Sequence, residues 1–153
     1  MIRPLAPDEV EPLAARLAEL ALLRRYRRTA GALERDLTGA MERGDGLLVH
    51  AAPDQQPDGL AWFLPAGTLG MGGCLRFLAV APGREGRGVG TALLAAFERA
   101  VAEWSGHAFL LVGDFNDGAR RFYARHGYAE VGRLPALVEP DIDELLFWRR
   151  LPR

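Results

Sequence analysis

The most informative segment of this chain is LAVAPGREGRGVGTALL, residues 78–94. It begins as an apolar strand, passes through a glycine-rich turn and continues as a helix with an apolar stripe. The turn places glycine at three alternate positions, Gly86, Gly88 and Gly90. Their backbone N–H groups are unobstructed at the start of a helix, where unpaired donors and the helix dipole favour an anion. The segment therefore predicts an anion-binding turn of a size that suits a diphosphate, with Arg84 and Arg87 adding positive charge.

The helix after this turn has apolar residues at spacings of three and four, which is typical of one buried face. These residues are Leu93, Leu94, Phe97, Val101 and Trp104. An apolar strand at 109–112 follows directly. Strand, turn, helix and strand form a βαβ crossover, which predicts two parallel strands joined with right-handed topology.

Upstream of the crossover, residues 8–25 and 32–43 have helical periodicity, and Gly44 is a typical helix stop. The apolar runs 47–51 and 60–64 are separated by a turn-rich segment, which indicates an antiparallel hairpin.

The crossover begins with a strand at 74–80. After the crossover, a helix at 117–126 stopped by Gly127 and two strands at 129–138 and 144–151 complete the pattern. The sequence predicts an α+β fold with a mixed sheet of about six to seven strands and four helices.

Composition limits the class of protein. The 153 residues are 49% apolar and 25% charged, which predicts one globular domain spanning residues 1–153. The net charge of −1 gives no bulk attraction to nucleic acid or an anionic membrane. No apolar run approaches the roughly 20 residues that span a bilayer. The first residues lack the layout of a secretory signal, so a cytoplasmic location is expected.

A single cysteine, Cys74, excludes an intramolecular disulfide and a multi-cysteine zinc site, and we expect no metal. Every basic residue is arginine, so the chain cannot supply a phosphate-binding lysine.

The glycine turn has three other interpretations. A Walker loop needs Gly-Lys-Ser/Thr, whereas the chain has Val89 and Gly90 before Thr91. A dinucleotide fingerprint needs a further glycine where Thr91 or Leu93 stands, although Asp114 lies roughly where a ribose-binding acid would be. The third is that the glycines only allow a helix and a strand to pack closely.

Residues 78–94 resemble motif A of the GCN5-related N-acetyltransferase (GNAT) superfamily. The downstream run NDGARRFYARHGY, residues 116–128, resembles motif B of the same superfamily. The resemblance is specific over 74–132 and loose over the N-terminal helices, which vary in the superfamily and often shape the acceptor pocket. It implies acetyl-coenzyme A as donor and a mostly antiparallel sheet. It also implies two central parallel strands, 75–80 and 109–112, that splay apart so that the pantetheine arm lies between them.

The resemblance also implies the site residues. Tyr123 matches the tyrosine placed near the coenzyme sulfur, where a phenol can protonate the departing thiolate. A backbone N–H near Val80 is expected to polarise the thioester carbonyl. Asn116 contacts the coenzyme in many relatives, and it is also an ordinary helix N-cap. The residues expected to bind the coenzyme are Leu78, Ala79, Val80, Arg84, Gly86, Arg87, Gly88, Val89, Gly90, Thr91, Asn116, Ala119 and Phe122.

Two positions depart from the family pattern. Cys74 stands where many relatives have an acidic residue, and we expect a buried structural thiol there. The candidates for the general base are therefore His50, Asp114, Glu144 or a chain of water molecules. Glu85 stands where the motif usually has Gln or Arg. Because a carboxylate would repel a diphosphate, we expect Glu85 to point outward and Arg84 or Arg87 to replace its contact.

The acceptor is not specified by any motif. The cluster RRYRR at 24–28 either attracts an anionic acceptor or complements a helix C-terminus. Trp62, Phe63 and Trp148 either line an apolar pocket or belong to the core.

We predict an N-acetyltransferase in which a primary amine of a small molecule or peptide attacks acetyl-coenzyme A directly in a ternary complex. Neither a nucleic acid nor a membrane partner is expected, and the protein is expected to be a monomer or homodimer. The alternatives are a non-catalytic acyl-coenzyme A sensor and a dinucleotide-binding protein.

Overall fold

In the computed structural model, which describes residues 1–152, one sheet contains all seven strands. The strands are β1 (Ile2–Pro4), β2 (Gly46–His50), β3 (Gly59–Thr68), β4 (Gly72–Val80), β5 (His107–Gly113), β6 (Ala129–Leu134) and β7 (Glu144–Arg150). Their order across the sheet is β1-β2-β3-β4-β5-β7-β6. Neighbouring strands are antiparallel except β4 and β5, which are parallel and lie near the middle.

The helices are α1 (Val10–Leu17), α2 (Ala21–Arg25), α3 (Ala30–Arg43), α4 (Val89–Ala102) and α5 (Asp117–Arg125). A 3₁₀ turn at Pro7–Glu9 precedes α1. The predicted α+β class, the mostly antiparallel mixed sheet and the strand–helix–strand crossover are confirmed. The short edge strand β1 was not predicted, because its three residues carry no periodic signal.

The helix count differs from the prediction because the helix expected over 8–25 is interrupted at residues 18–20. Leu17 at the end of α1 and Leu23 in α2 are both buried in the same apolar cluster. On one straight helix these two side chains would point about 120° apart, since a residue advances about 100°. The interruption re-aims α2 so that Leu23 also faces the core, which gives five helices in place of four.

The sheet is covered on both faces. On one face α4 packs through Leu93, Phe97 and Val101, each fully buried. On the other face α1 and α3 cover β2 and β3 in a second apolar cluster. Trp104, which was assigned to the apolar stripe of α4, lies beyond the helix end and is 40% exposed. Within residues 1–152, none of the helices has the length and hydropathy needed to cross a membrane.

The central parallel pair separates partway along its length. Pairing between β4 and β5 ends at Leu75 and Leu110. Phe63 pairs with Leu75 whereas Trp62 pairs with Phe77, so Arg76 is an extra residue in a β-bulge of β4. A bulge bends its strand and increases the local twist. The rest of β4 therefore diverges from β5, which confirms the predicted splay.

Candidate active site

The divergence of β4 and β5 opens a cleft of about 730 Å³. One wall is formed by the separated strands and by the start of α5. The remaining lining residues come from β3, α2, α3 and the loop that leads into β7. Tyr123, Tyr26 and Glu144, which come from three separate parts of the sequence, all line this one cleft.

The glycine turn at the start of α4 has the backbone conformation that its composition predicts. Gly86 and Gly88 have φ of +72° and +78°, which is the left-handed region, and Gly88 is the N-cap of α4. The first helical hydrogen bond at this end runs from the Ala92 N–H to the Gly88 carbonyl at 2.9 Å. The preceding N–H groups have no acceptor within the helix, so they are available to an anion.

The side chains of the turn differ in how far they are exposed. Glu85 is exposed, as its expected outward orientation requires, and Arg87 is exposed as well. Arg84 is half-buried. A side-chain carbon added at Gly90 would lie 3.7 Å from Phe122 and 3.8 Å from Val80. The end of β4, the start of α4 and α5 therefore meet at one point next to the turn.

A polar bridge that the sequence analysis did not identify also joins α4 to α5. The Thr91 hydroxyl lies 3.3 Å from Nε2 of His126. Nδ1 of the same ring lies 2.8 Å from the Phe122 carbonyl oxygen. His126 is part of the predicted motif, but its role depends on the distance between two helices.

Tyr123 faces the cleft from α5 and is 8% exposed. Its ring packs against Phe122 and Tyr128, with ring centroids 5.2 Å and 5.8 Å away. Burial raises the pKa of its hydroxyl above the ordinary value. Asn116 lines the cleft at the start of α5 and also caps the helix, since its side-chain oxygen accepts a hydrogen bond of 3.1 Å from the Ala119 N–H.

Most of the expected coenzyme-binding residues fall into two groups, and Val80 and Phe122 lie between them, next to Gly90. Leu78, Asn116 and Ala119 line the cleft. The residues of the turn lie outside it, at the N-terminus of α4. Ala79 is buried in the apolar cluster that α1 and α3 form with the sheet, and it does not line the cleft. Only its backbone is therefore available to a ligand.

The cleft distinguishes between the candidate bases. His50 is 2.6 Å from the Asp58 carboxylate near the far end of the sheet, and Asp114 is paired with Arg133 at 3.2 Å. Neither of them lines the cleft, whereas Glu144 does. Glu144 is 3% exposed and accepts a hydrogen bond of 2.5 Å from the Tyr26 hydroxyl. Burial raises the pKa of the Glu144 carboxyl, while the Tyr26 hydrogen bond acts in the opposite direction.

Tyr26 reaches Glu144 because β5 ends in glycine. Gly113 pairs with Glu144 across β5 and β7. A side-chain carbon at Gly113 would lie 2.6 Å from the Tyr26 hydroxyl oxygen, which is closer than such atoms approach. The sequence analysis treated Tyr26 only as part of an arginine cluster and therefore missed it.

The arginines around Tyr26 are held by carboxylates. Arg25 pairs with Asp141 at 3.1 Å, and Arg27 pairs with Glu139 at 3.1 Å. Arg28 pairs with Asp36. Three arginines of the cluster are therefore paired with carboxylates of this chain, and two of these carboxylates, Glu139 and Asp141, lie in the loop before β7. The hypothesis that these arginines attract an anionic acceptor is not supported.

Of the three aromatic residues proposed for an acceptor pocket, only Trp62 lines the cleft. The Arg76 guanidinium stacks over its ring at 4.7 Å. Phe63 packs edge-on against Phe97 in the core, and the Trp148 indole N–H donates to His107 at 3.1 Å. Cys74 also lines the cleft and is half-buried, and burial raises the pKa of its thiol.

The raised pKa of Glu144 predicts a pH-dependent stability. The folded state binds the proton of the Glu144 carboxyl more tightly than the unfolded state does. The contribution of this proton to the stability of the fold is therefore complete below the ordinary carboxyl pKa of about 4.3, and it is lost as pH rises through the pKa of Glu144 in the folded state. Glu144→Gln is therefore expected to raise Tm near pH 8. A gain of about 1 kcal/mol corresponds to about 2–4 °C in a chain of this size.

Thermal unfolding of both proteins between pH 4 and pH 8 checks this expectation. The Tm difference should shrink toward pH 4. A difference that is constant across this range would contradict a raised pKa.

A splayed parallel pair, a crossover helix that begins at a glycine turn, and a cleft at the point of divergence are typical of a coenzyme-dependent acyltransferase of the α+β class. The family model described as "Acetyltransferase (GNAT) family" matches residues 17–128, and the chain belongs to that family. It is an acyltransferase whose donor is acetyl-coenzyme A. This excludes the dinucleotide-binding alternative, whose candidate ribose ligand Asp114 is held by Arg133.

Solved structures share the fold over the whole chain. Ard1 from Thermoplasma volcanium is 24% identical with a TM-score of 0.82, and the match covers 100% of this chain and 98% of that one. An aminoglycoside 6'-N-acetyltransferase complexed with coenzyme A is 19% identical with a TM-score of 0.79, over 100% and 98%. Ribosomal-protein-alanine N-acetyltransferase from Brucella melitensis is 20% identical with a TM-score of 0.71, over 99% of each chain. No curated protein sequence matches the chain.

Proposed function

We propose that this protein, acting as a single domain, transfers the acetyl group of acetyl-coenzyme A to a primary amine of a small molecule or peptide. The amine attacks directly in a ternary complex. The observation that carries this proposal is that one cleft joins the splayed edges of β4 and β5 to the Tyr123 phenol. Solved relatives that act on aminoglycosides and on a ribosomal-protein alanine share the fold, which supports an amine as acceptor.

The donor is expected to extend from the turn into the cleft. Its diphosphate binds the free N–H groups of residues 86–91, and its pantetheine arm lies along the part of β4 beyond Leu75, where pairing with β5 has ended. There the amides of the arm can take the place of a missing strand. The contacts proposed above for 78–80, for the turn and for α5 all lie along this path.

The proposed reaction needs one proton donor near the sulfur. The amine nitrogen forms a bond to the thioester carbon, and the carbonyl oxygen gains negative charge that a backbone N–H near Val80 stabilises. Collapse breaks the C–S bond, and the sulfur takes the electron pair and a proton from Tyr123. The phenolate regains a proton from those that the attacking nitrogen releases. The place of Tyr123 in the cleft supports this role, and its hydroxyl is protonated before the reaction because the ordinary pKa of a phenol is about 10.

Ligand-induced stabilisation tests donor binding. Acetyl-coenzyme A at about 100 times its Kd is expected to add about 2.7 kcal/mol of stability, and NAD at the same concentration is expected to add none. Thiol release in the presence of primary amines then tests catalysis. Stabilisation by acetyl-coenzyme A without thiol release for any amine would favour the non-catalytic sensor.

Direct attack predicts that Cys74 is dispensable. The alternative, in which the thiol takes the acetyl group before the amine does, requires this sulfur. Because burial raises the pKa of the Cys74 thiol, little thiolate forms at neutral pH, and Cys74→Ala is expected to retain kcat within about threefold.

Initial-rate plots for the wild type should intersect, as a ternary complex requires. Parallel plots, together with an acetylated cysteine found by mass spectrometry, would contradict direct attack.

A further inference from the structure

The carboxylates that line the cleft differ in whether an arginine is paired with them. Within residues 1–152, three carboxylates line the cleft: Asp36, Glu139 and Glu144. Asp36 is paired with Arg28, and Glu139 is paired with Arg27. Glu144 instead accepts a hydrogen bond from the neutral Tyr26 hydroxyl, and no arginine of the described chain forms an ion pair with it. One carboxylate in the cleft is thus left to receive a cation.

Most residues that line the cleft are apolar, and the charged ones besides Glu144 are Arg28, Asp36, Arg76 and Glu139. The cleft walls outside the donor path carry aliphatic and aromatic side chains: Leu22, Leu23, Leu33, Trp62, Leu64, Phe77, Leu137 and Val138. A second or third ammonium group placed along these walls would be desolvated without an unpaired partner, which is costly. An apolar arm placed there would instead be removed from water favourably.

We propose that Glu144 receives the ammonium group of the acceptor, and that the acceptor is a primary amine with a single positive charge carried on an apolar arm. Tyr26 is a positioning residue that holds the Glu144 carboxylate toward the cleft. This inference rests on the proposed acetyl transfer and names its substrate class. It separates this protein from an enzyme whose acceptors are polycations such as aminoglycosides.

The proton balance of the reaction fits one carboxylate. The ammonium group gives one proton to ionised Glu144 and becomes the neutral nucleophile. The nitrogen loses a second proton as the C–N bond forms. One of the two protons replaces the one that Tyr123 gives to the sulfur, and the other leaves to solvent. The products are the acetylated amine, coenzyme A as its thiol and one released proton.

Burial has the largest effect on the ionisation of Glu144, and groups on the neighbouring elements modify it. The Tyr26 hydroxyl, just after α2, donates to it and favours the ionised form. Asp114, just after β5, is a nearby negative charge that opposes ionisation, and it is itself paired with Arg133 on β6. Because burial raises the pKa of Glu144, the fall in kcat/KM on acidification is expected to begin above the ordinary carboxyl range.

Glu144→Gln tests the assignment with phenethylamine as the probe. We expect kcat/KM to fall about 100-fold or more and the acidic limb of its pH profile to disappear. The Kd of acetyl-coenzyme A should stay within about twofold, since no donor contact is changed. Asp114→Asn is the matched control, because it removes a neighbouring carboxylate that does not line the cleft. It should retain the rate on the alkaline plateau, and its acidic limb should move to lower pH because a negative charge near Glu144 is lost.

Tyr26→Phe tests the positioning role through the pH profile of kcat/KM, which the loss of a purely structural contact would not shift. Because the Tyr26 hydrogen bond lowers the pKa of Glu144, its loss should move the acidic limb to higher pH while the rate on the alkaline plateau is largely retained. A limb that stays in place would overturn the positioning role.

A panel of amines tests the substrate class in the unaltered protein. At equal ionic strength we expect kcat/KM for phenethylamine to exceed that for spermidine and for kanamycin at least tenfold. A preference for either polycation, or an unchanged rate and pH profile in Glu144→Gln, would overturn this inference while leaving acetyl transfer intact. Failure of every amine to release thiol while acetyl-coenzyme A still binds would overturn both proposals.

Discussion

Tyr123→Phe is expected to lower kcat about 100-fold or more, which is the usual range for losing a general acid. The substitution removes one oxygen and leaves the ring packed against Phe122 and Tyr128. Because a phenol is already protonated at neutral pH, the substitution removes the proposed proton donor without changing any charge. The Kd of acetyl-coenzyme A should change little, and thiol release with a saturating amine measures the effect.

Tyr128→Phe is a matched control for this experiment. Tyr128 is 4% exposed, and its ring lies 5.8 Å from that of Tyr123, but it does not line the cleft. We expect it to retain kcat within about threefold, and circular dichroism should show that both variants fold. If Tyr123→Phe and the wild type have equal kcat, Tyr123 is not the general acid. If kcat falls equally in Tyr123→Phe and Tyr128→Phe, the effect is due to packing.

Gly88→Val is expected to raise the Kd of acetyl-coenzyme A at least tenfold. Gly88 has φ of +78°, and a side-chain carbon added there would meet nothing within 4 Å, so steric collision is not the cause. A branched residue resists the left-handed conformation, at a cost of about 1–2 kcal/mol. Relief of that strain turns the N–H groups of the turn away from the diphosphate. Calorimetric titration of the donor measures the change.

The chain offers a control with the same backbone conformation far from the donor. Gly70 lies in the turn between β3 and β4 with φ of +67°, and a side-chain carbon there also meets nothing within 4 Å. Gly70→Val should reduce stability by a similar amount and leave the Kd of acetyl-coenzyme A unchanged. Gly88→Asn should recover part of the affinity, because asparagine tolerates this conformation better. Equal donor affinity in all three variants would exclude the turn as the diphosphate site.

The ends of α5 illustrate how far local sequence reaches. Asn116 caps the helix through an N–H only three residues away, and Gly127 follows it with φ of +86°. Such signals act within one helical turn, so the sequence alone located this helix to within one residue. The glycine turn before α4 is equally local, which is why its conformation and its place at the start of the helix were predicted together.

The interruption at residues 18–20 shows where local signals stop. No glycine or proline marks it, and helical periodicity continues across it. It exists because Leu17 and Leu23 are buried in one cluster with strands more than twenty residues downstream. Burial of that kind depends on the assembled core, and propensity alone does not overcome it.

By itself the sequence determined the strand–turn–helix–strand unit, the donor that its motifs imply and the tyrosine beside the expected path of the sulfur, because each depends on residues close together in the chain. The tertiary structure decided which acid enters the cleft. Tyr26 and Glu144 are separated by 118 positions, and they meet only because Gly113 leaves room for the phenol and the β5–β7 register places Glu144 beside it. Register and burial are properties of the whole sheet, so no neighbouring residue could signal them.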